Sequence, residues 1–401
     1  MTTPHEVCLW VTPKIFDDLH APAAGVESFF DHHAEWISGN DLTVVFCAGN
    51  GDHVLDWRGP QGIDETFDWA RYNAYAWDPE AGETFEKSVR DHNANWLDRV
   101  REGGERSSNP YSAGPMMVLS EQTMGYRTLA GIYAALRAEA SRRGIRLRLL
   151  EYLEPGPECC RSEWKSVRHP EVAAARADAG GHEIPGLIDV TLPLNHDPRA
   201  YAGWPEGIPA GTLAGEFVAR QTAAFVTDFD VDGVLLGNQF GLLGIWHPDN
   251  APALTAERRA GIQAFFTGLR TAMGDRQIYW MDSYWRADVE REVWGMTDEC
   301  YDALDAIIVS TFAVLVERTE IVPNLQSKAH LRARTLYAVD FVDPWYAYRT
   351  HLDDIRSYEY QREVLRKHRD LTDGVTFFAN DTFGQFVPRA RLEETRHLLS
   401  A

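Results

Sequence analysis

Cysteine is scarce in this chain, and basic residues are outnumbered. The 401 residues hold five cysteines, Cys8, Cys47, Cys159, Cys160 and Cys300, with no CxxC spacing. Neither a disulfide framework nor a zinc site is indicated. Lys and Arg number 39 against 60 Asp and Glu, a formal net charge of −21. Such an excess repels phosphate backbones, and the basic run Arg142, Arg143, Arg146 and Arg148 is short, so no nucleic-acid partner is expected. No apolar stretch reaches about 18 residues, so no membrane span is expected. Residues 1–10 show no basic region and no apolar core before a strand-like run begins, so no secretory signal is read there. With its thiols unpaired, a cytoplasmic protein is expected. Nucleotide-binding loops of the GxGxxG and GxxxxGK[ST] kinds are missing. The first strand-like run, Val-Cys-Leu-Trp-Val-Thr, lacks the His-x-His of amidohydrolase metal sites. Neither a cofactor nor a metal is therefore expected.

What is present is ordinary globular material, 44% hydrophobic and 25% charged, which is enough for a large core. Aromatic residues are the less usual part: 13 Trp, 15 Tyr and 18 Phe, with many of the tryptophans in polar, turn-rich stretches. Flat rings in polar surroundings suit sugar faces, and they suit cores and interfaces as well.

The chain alternates β-rich runs with amphipathic helical segments. Strands are expected at 7–12, 42–48, 146–153, 231–237, 277–282, 306–310, 335–340 and 375–380, and helices at 128–143, 255–273, 352–369 and 390–399. Gly144 is the expected stop of the first of these helices and Thr255 the N-cap of the second. Strand-then-helix order implies parallel strands with right-handed crossovers. Runs such as Val-Asp-Gly-Val-Leu-Leu-Gly suit strands covered on both faces. The expected fold is therefore a single α/β domain over residues 1–401, a (β/α)8 TIM barrel with long loops after the early strands. Loop insertions are placed at about 50–114 and 155–211, and a ninth strand-like stretch, 116–119, is assigned to a loop. Large loops after the second and third strands would wall a deep cleft at the C-terminal face.

In this fold active residues stand at the C-terminal ends of different strands. Read in order, those ends offer Thr12 and Lys14, then Asn50, Asp52 and His53, then Glu151 and Glu154. Next come Asn238 and Gln239, Asp282, Ser310 and Thr311, Asp340 and Asp343, and finally Asn380 and Asp381. Aromatic neighbours frame two of them, in Tyr-Trp-Met-Asp282-Ser-Tyr-Trp285 and Asp340-Phe-Val-Asp-Pro-Trp345-Tyr. Carboxylates beside rings around a cleft are what glycosidic cleavage requires: one acid for the leaving oxygen, and one nucleophile or base.

The segment Asp228-Phe-Asp-Val-Asp-Gly-Val-Leu-Leu-Gly-Asn-Gln-Phe-Gly241, the tryptophan-framed Asp282 strand and the ending Asn380-Asp-Thr-Phe-Gly384 together resemble the barrel of the TIM-barrel glycoside hydrolases. The likeness covers most of the chain from about Glu151 onward and points to no single family. Two departures stand out on the fourth strand. Chitinase-type barrels carry Asp-Gly-x-Asp-x-Asp-x-Glu there, and this chain keeps only Asp232-Gly233. Cellulase-type barrels end that strand in Asn-Glu, and this chain has Asn238-Gln239. Glutamine cannot serve as acid or base. Three accounts stay open: catalysis rests on other strands, activity has been lost, or a glutamate has been exchanged for glutamine.

The expectation is a glycoside hydrolase acting on a small oligosaccharide or glycoside. Asp282 and Asp340 form the expected catalytic pair, with Glu151 in reserve. Asn238, Gln239, Asp381, Trp285 and Trp345 are expected to bind the carbohydrate. Each has a plain structural alternative: Asp282 capping a turn or pairing with Arg286, Asp340 pairing with Arg334, Asp381 in an Asx turn. Glu151 shares a strand face with Leu149, and Asp232 starts its strand and is read as structural. The rival functions are a non-catalytic carbohydrate-binding barrel and a metal-dependent sugar isomerase, for which no ligand spacing speaks.

Overall fold

The computed structural model of the chain describes residues 6–11, 19–37, 41–48, 51–55, 57–67, 124–153, 189–193, 211–237, 242–243, 253–282, 289–309, 318–339, 358–377 and 397. Eight strands close into a parallel barrel: β1 (Glu6–Val11), β2 (Asp41–Phe46), β5 (Leu147–Leu153), β6 (Gly233–Leu236), β7 (Gln277–Asp282), β8 (Ala306–Val309), β9 (Arg334–Val339) and β10 (Gly374–Phe377), which returns to β1. The remaining described strands, β3 (Thr66–Phe67) and β4 (Met124–Gly125), form a two-stranded antiparallel ladder. Helices separate successive barrel strands, among them Ala23–His32, Tyr126–Arg142, Ala214–Asp228, Ala256–Met273, Asp298–Asp302, Arg318–Lys328 and Tyr358–His368. This is the (β/α)8 barrel the strand count implied.

The ladder lay outside the expectation, since two residues per strand leave too short a pattern to read. It ties the two flanks of residues 68–123. Trp57, which falls within the insertion expected at about 50–114, is core. It packs on Tyr126, Phe225 and Phe229, and its indole N–H donates to Asp228 at 2.7 Å. The stretch 116–119 and the helix at 390–399, apart from His397, lie outside the described residues. The expected caps are in place. Thr255 accepts the Arg258 N–H at 3.2 Å, and Gly144 takes φ +67° after Arg142, the left-handed turn that glycine adopts without penalty.

Alternation along each strand sorts side chains into two apolar layers. Val7, Leu9, Leu149, Leu153, Ile278 and Trp280 face the helices. Cys8, Trp10, Leu150, Tyr152, Tyr279, Met281, Leu336 and Ala338 fill the barrel interior. The N-terminal end of that interior is closed by polar groups. Glu6 Oε1 accepts from Thr43 Oγ1 at 2.6 Å and from Tyr279 Oη at 2.5 Å, and its other oxygen pairs with Arg334. The end left for a site is the opposite one.

One device recurs along the starts of the strands. Asp232, Asp305 and Asp373 each precede a strand, and each carboxylate accepts a backbone N–H of the strand before it: Leu149 at 2.7 Å, Ile278 at 2.8 Å and Thr335 at 2.8 Å. In all three cases the aspartate's own N–H donates to the carbonyl of that same residue. A small residue follows each aspartate, Gly233, Ala306 or Gly374, and a Cβ on Gly233 would stand 2.0 Å from the Gln277 carbonyl oxygen. The structural reading of Asp232 therefore holds. Asp305→Ala should lower stability by about 1–3 kcal/mol, the cost of a buried N–H left without its acceptor. Urea denaturation measures it, and a loss below about 0.5 kcal/mol would show that water takes the carboxylate's place.

Candidate active site at the carboxyl ends of the strands

The interior layer nearest the C-terminal ends is aromatic. Trp10 and Tyr152, each one residue short of its strand's end, bring their rings to 5.0 Å between centroids at 58°. The Trp10 indole N–H donates to Thr376 Oγ1 at 3.1 Å. A Cβ on Gly237 would lie 2.4 Å from Tyr152 Oη, so glycine at this position is what lets the ring occupy its place. Beneath these rings the Cys8 thiol is pushed up to about 12 by burial, which leaves it inert as a nucleophile at neutral pH. Cys47, half-buried, packs against the same layer.

The expected site residues divide sharply. Asp340, Asn238, Gln239, Asp381, Trp285 and Trp345 lie outside the described residues. Asp282 and Glu151 are described, and both turn away from the barrel interior. Both belong to the outward series of their strands, Glu151 with Leu149 and Leu153, Asp282 with Ile278 and Trp280. The period of two turns them toward the helix layer, on strands separated by β6, so the structure does not bring them together.

Glu151 is fully buried. It meets His53 Nε2 at 3.0 Å through Oε1 and the Tyr133 hydroxyl through Oε2. Burial raises its carboxyl above the usual range, against the opposing pull of His53, Tyr133 and the Ala48 backbone. The Tyr133 hydroxyl is pushed well up by burial and then by the Glu151 charge. His53 stands among the strand-end residues of the sequence, and Tyr133 lies within the helix expected at 128–143. Neither reading could foresee that both would converge on Glu151.

Asp282 sits in a second closed cluster. Lys328 Nζ lies 2.9 Å from Asp282 Oδ2, with the side chains 1% and 2% exposed respectively. Lys328 also donates to Asn324 Oδ1 at 3.0 Å and stands 5.3 Å over the Tyr301 ring. Burial, followed by the nearby Asp282 charge, holds the Glu290 carboxyl well above the ordinary value. The turn-cap and Arg286 alternatives named no such partner. Lys328 continues the buried stripe Ile321, Leu325 of its helix, a sequence signal easily passed over because the residue is a lysine. Arg334, the alternative partner for Asp340, is engaged with Glu6 at the opposite end.

A raised folded-state value fixes a sign. The folded chain keeps a proton on Glu290 that the unfolded chain releases above about pH 4.5. Stability is therefore fully present below that pH and falls as pH rises toward the folded value, by about 1.4 kcal/mol per pH unit for one proton. Glu290→Gln should flatten this slope in urea titrations between about pH 5 and pH 8. An unchanged slope would place the proton elsewhere.

Among the described residues no group of three or more His, Cys, Asp or Glu could hold a metal ion. None of the described helices is long and apolar enough to cross a membrane.

No protein-family profile matches the chain, and no curated protein matches it. Among solved structures it is similar to one titled "Crystal structure of C-terminal domain of putative chitinase from Desulfitobacterium hafniense DCB-2", at 11% identity and a TM-score of 0.42, with 99% of each chain covered. It is also similar to a structure described as a "GH138 enzyme targeting pectin rhamnogalacturonan II", at 11% identity and a TM-score of 0.31. That match covers 94% of this chain and 34% of the other.

Proposed function

We propose that the chain is a glycoside hydrolase whose site lies over the Trp10–Tyr152 layer, and that Glu154 and Asp340 supply its carboxylates. The observation that carries this reading is the inner register of the barrel. Tyr152 and Ala338 are interior residues, and in sequence each is followed two positions later by an acid, Glu154 and Asp340. Two positions is the spacing at which a strand returns to the same face. Asp282 and Glu151, by contrast, are consumed by Lys328 and His53 on the outer face. The two rings are buried and tilted against one another at 58°, and aromatic faces at this end of the barrel are of the kind that stacks on pyranose rings. Asn238, Gln239, Asp381, Trp285 and Trp345 are proposed to contact the sugar.

A second reading is favoured by one feature. Leu235 is an interior residue of β6, and four positions on in the sequence stands Gln239, a side chain that cannot act as acid or base. On that account the barrel binds carbohydrate without cleaving it. Calorimetric binding of a panel of oligosaccharides, run beside hydrolysis of the matching aryl glycosides, separates the two. Binding with turnover supports the hydrolase, binding without turnover supports the lectin-like barrel, and neither response from a broad panel sinks both.

A further inference from the structure

The ladder between β2 and β5 stops at Phe46 and Glu151, whereas β5 runs on to Leu153. On that side Tyr152 and Leu153 lean instead on the turn that follows β2. Gly51, at φ +80°, makes the contact: a Cβ there would stand 2.9 Å from the Tyr152 carbonyl oxygen and 2.9 Å from Leu153 Cα. Further along, in the short helix Asp52–Leu55, His53 reaches the outer face of β5 at Glu151, Nε2 to Oε1 at 3.0 Å. Tyr133 donates to the other carboxylate oxygen from the helix layer. The turn is also fastened from behind. Tyr126 Oη donates to the His53 carbonyl at 2.7 Å, and Gln221 Nε2 donates to the Leu55 and Trp57 carbonyls at 2.9 and 2.8 Å. The His53 ring meets Phe225 edge-on, 5.6 Å between centroids.

On the inner face the same stretch of β5 carries Tyr152, whose ring meets Trp10 at 5.0 Å. Carrying the register one step beyond Phe46 and Glu151 sets Cys47 beside it, and Cys47 N donates to the Val11 carbonyl at 2.8 Å. Glu151 outward and Tyr152 inward are neighbours on one backbone, so whatever fixes the first orients the second. We propose that His53 and Glu151 are positioning residues whose contact clamps the turn after β2 onto the end of β5, and so holds Tyr152, with Cys47 beside it, at the carboxyl ends of the strands. That Tyr152 then meets a sugar rests on the function proposed above. The clamp itself does not. A fully buried contact suits the task, because parting its members leaves polar groups where no water replaces the lost partner.

Cys47 reports on the clamp without any sugar. It is half-buried, whereas Cys8 and Cys300 are buried, so those two read general unfolding. The full chain is alkylated with iodoacetamide, and each thiol is followed by peptide mass spectrometry. In H53L, Cys47 should react at least about tenfold faster than in the wild type, while Cys8 and Cys300 change by less than about threefold. H53Q, whose amide offers a donor in place of Nε2, should stay within about threefold of the wild-type rate, a rescue that packing alone would not give. E151L should match H53L, and it serves if H53L does not fold. The double variant should react no faster than either single one, as two residues acting through one contact require. Asp305→Ala, a destabilising change at the opposite end of the barrel, should leave the Cys47 rate as it is. No rise in H53L or E151L, a rise shared equally by Cys8 and Cys300, effects that multiply in the double variant, an H53Q as fast as H53L, or an equal rise in D305A would each overturn the proposal. In parallel, Kd for the tightest oligosaccharide of the panel should weaken at least about fivefold in H53L and not in H53Q. A faster Cys47 with an unchanged Kd would keep the clamp and remove Tyr152 from sugar binding. A wild type that binds no sugar would sink the proposed function and leave the thiol rates to decide the clamp.

Discussion

Lys328→Met should cost the fold about 3–5 kcal/mol at pH 8, the usual consequence of removing one member of a buried ion pair and stranding the other. Methionine fills most of the lysine's volume, so lost packing contributes little. The stranded groups are Asp282 and Glu290, and without the ammonium the folded chain tolerates them only as neutral acids. Burial already holds the Glu290 value above the unfolded one, and loss of the ammonium raises it further. By linkage the penalty is small near about pH 4, where the unfolded chain is also protonated, and it grows as pH rises. Urea unfolding at about pH 5 and about pH 8 measures both ends. Adding Asp282→Asn to Lys328→Met should recover much of the loss at the higher pH, because it removes one of the two charges. A penalty that is the same at both pH values would mean that packing, not charge, is what Lys328 supplies.

Asp340→Asn should lower the rate of glycoside hydrolysis by about 10²–10⁴-fold, and Glu154→Gln should do likewise, the range usual for a lost general acid or base. Binding of the intact substrate should change far less, since an amide keeps the shape and one acceptor of the acid it replaces. The sharper test is rescue. If one carboxylate acts as nucleophile or base, azide or formate should restore part of the rate in that variant and not in the other, which also assigns the roles. Full activity in both variants would move the chemistry off the third and seventh barrel strands and leave the proposed pair without support.

The barrel was legible because its strands are covered on both faces and therefore read as nearly continuous apolar runs. Gln277–Asp282 matches its expected bounds, and the other barrel strands shift by a few residues at most. Some of those differences fall at polar strand-end residues, such as Ser310, Asp340 and Asn380, that lie outside the described residues. What a continuous run cannot show is which face a given residue occupies. Asp282 looked like a mouth residue because it ends an aromatic strand and precedes Tyr284 and Trp285. Counting by twos from Ile278 and Trp280 places it on the outer face, and the same count from Leu149 does so for Glu151. The partners were out of reach for a different reason. Lys328 and Asp282, like His53 and Glu151, meet only because the chain has wound around the barrel, and no local spacing records that approach. The two-residue strands β3 and β4 were lost to brevity.

The clasps made by Asp232, Asp305 and Asp373 fall between β5 and β6, β7 and β8, and β9 and β10. They skip the seams at β6/β7 and β8/β9. From β5 to β10 the wall is thus joined in three couples, each fastened at its own foot by an aspartate, while other side-chain bonds, such as Arg276 Nη1 donating to the Val231 carbonyl at 2.6 Å, cross from one couple to the next. That distinction marks where the polypeptide can be opened without undoing a fastening. New termini placed between β6 and β7, or between β8 and β9, leave every clasp within an unbroken stretch of chain, whereas a cut between β7 and β8 asks two separate ends to find each other before Asp305 can close.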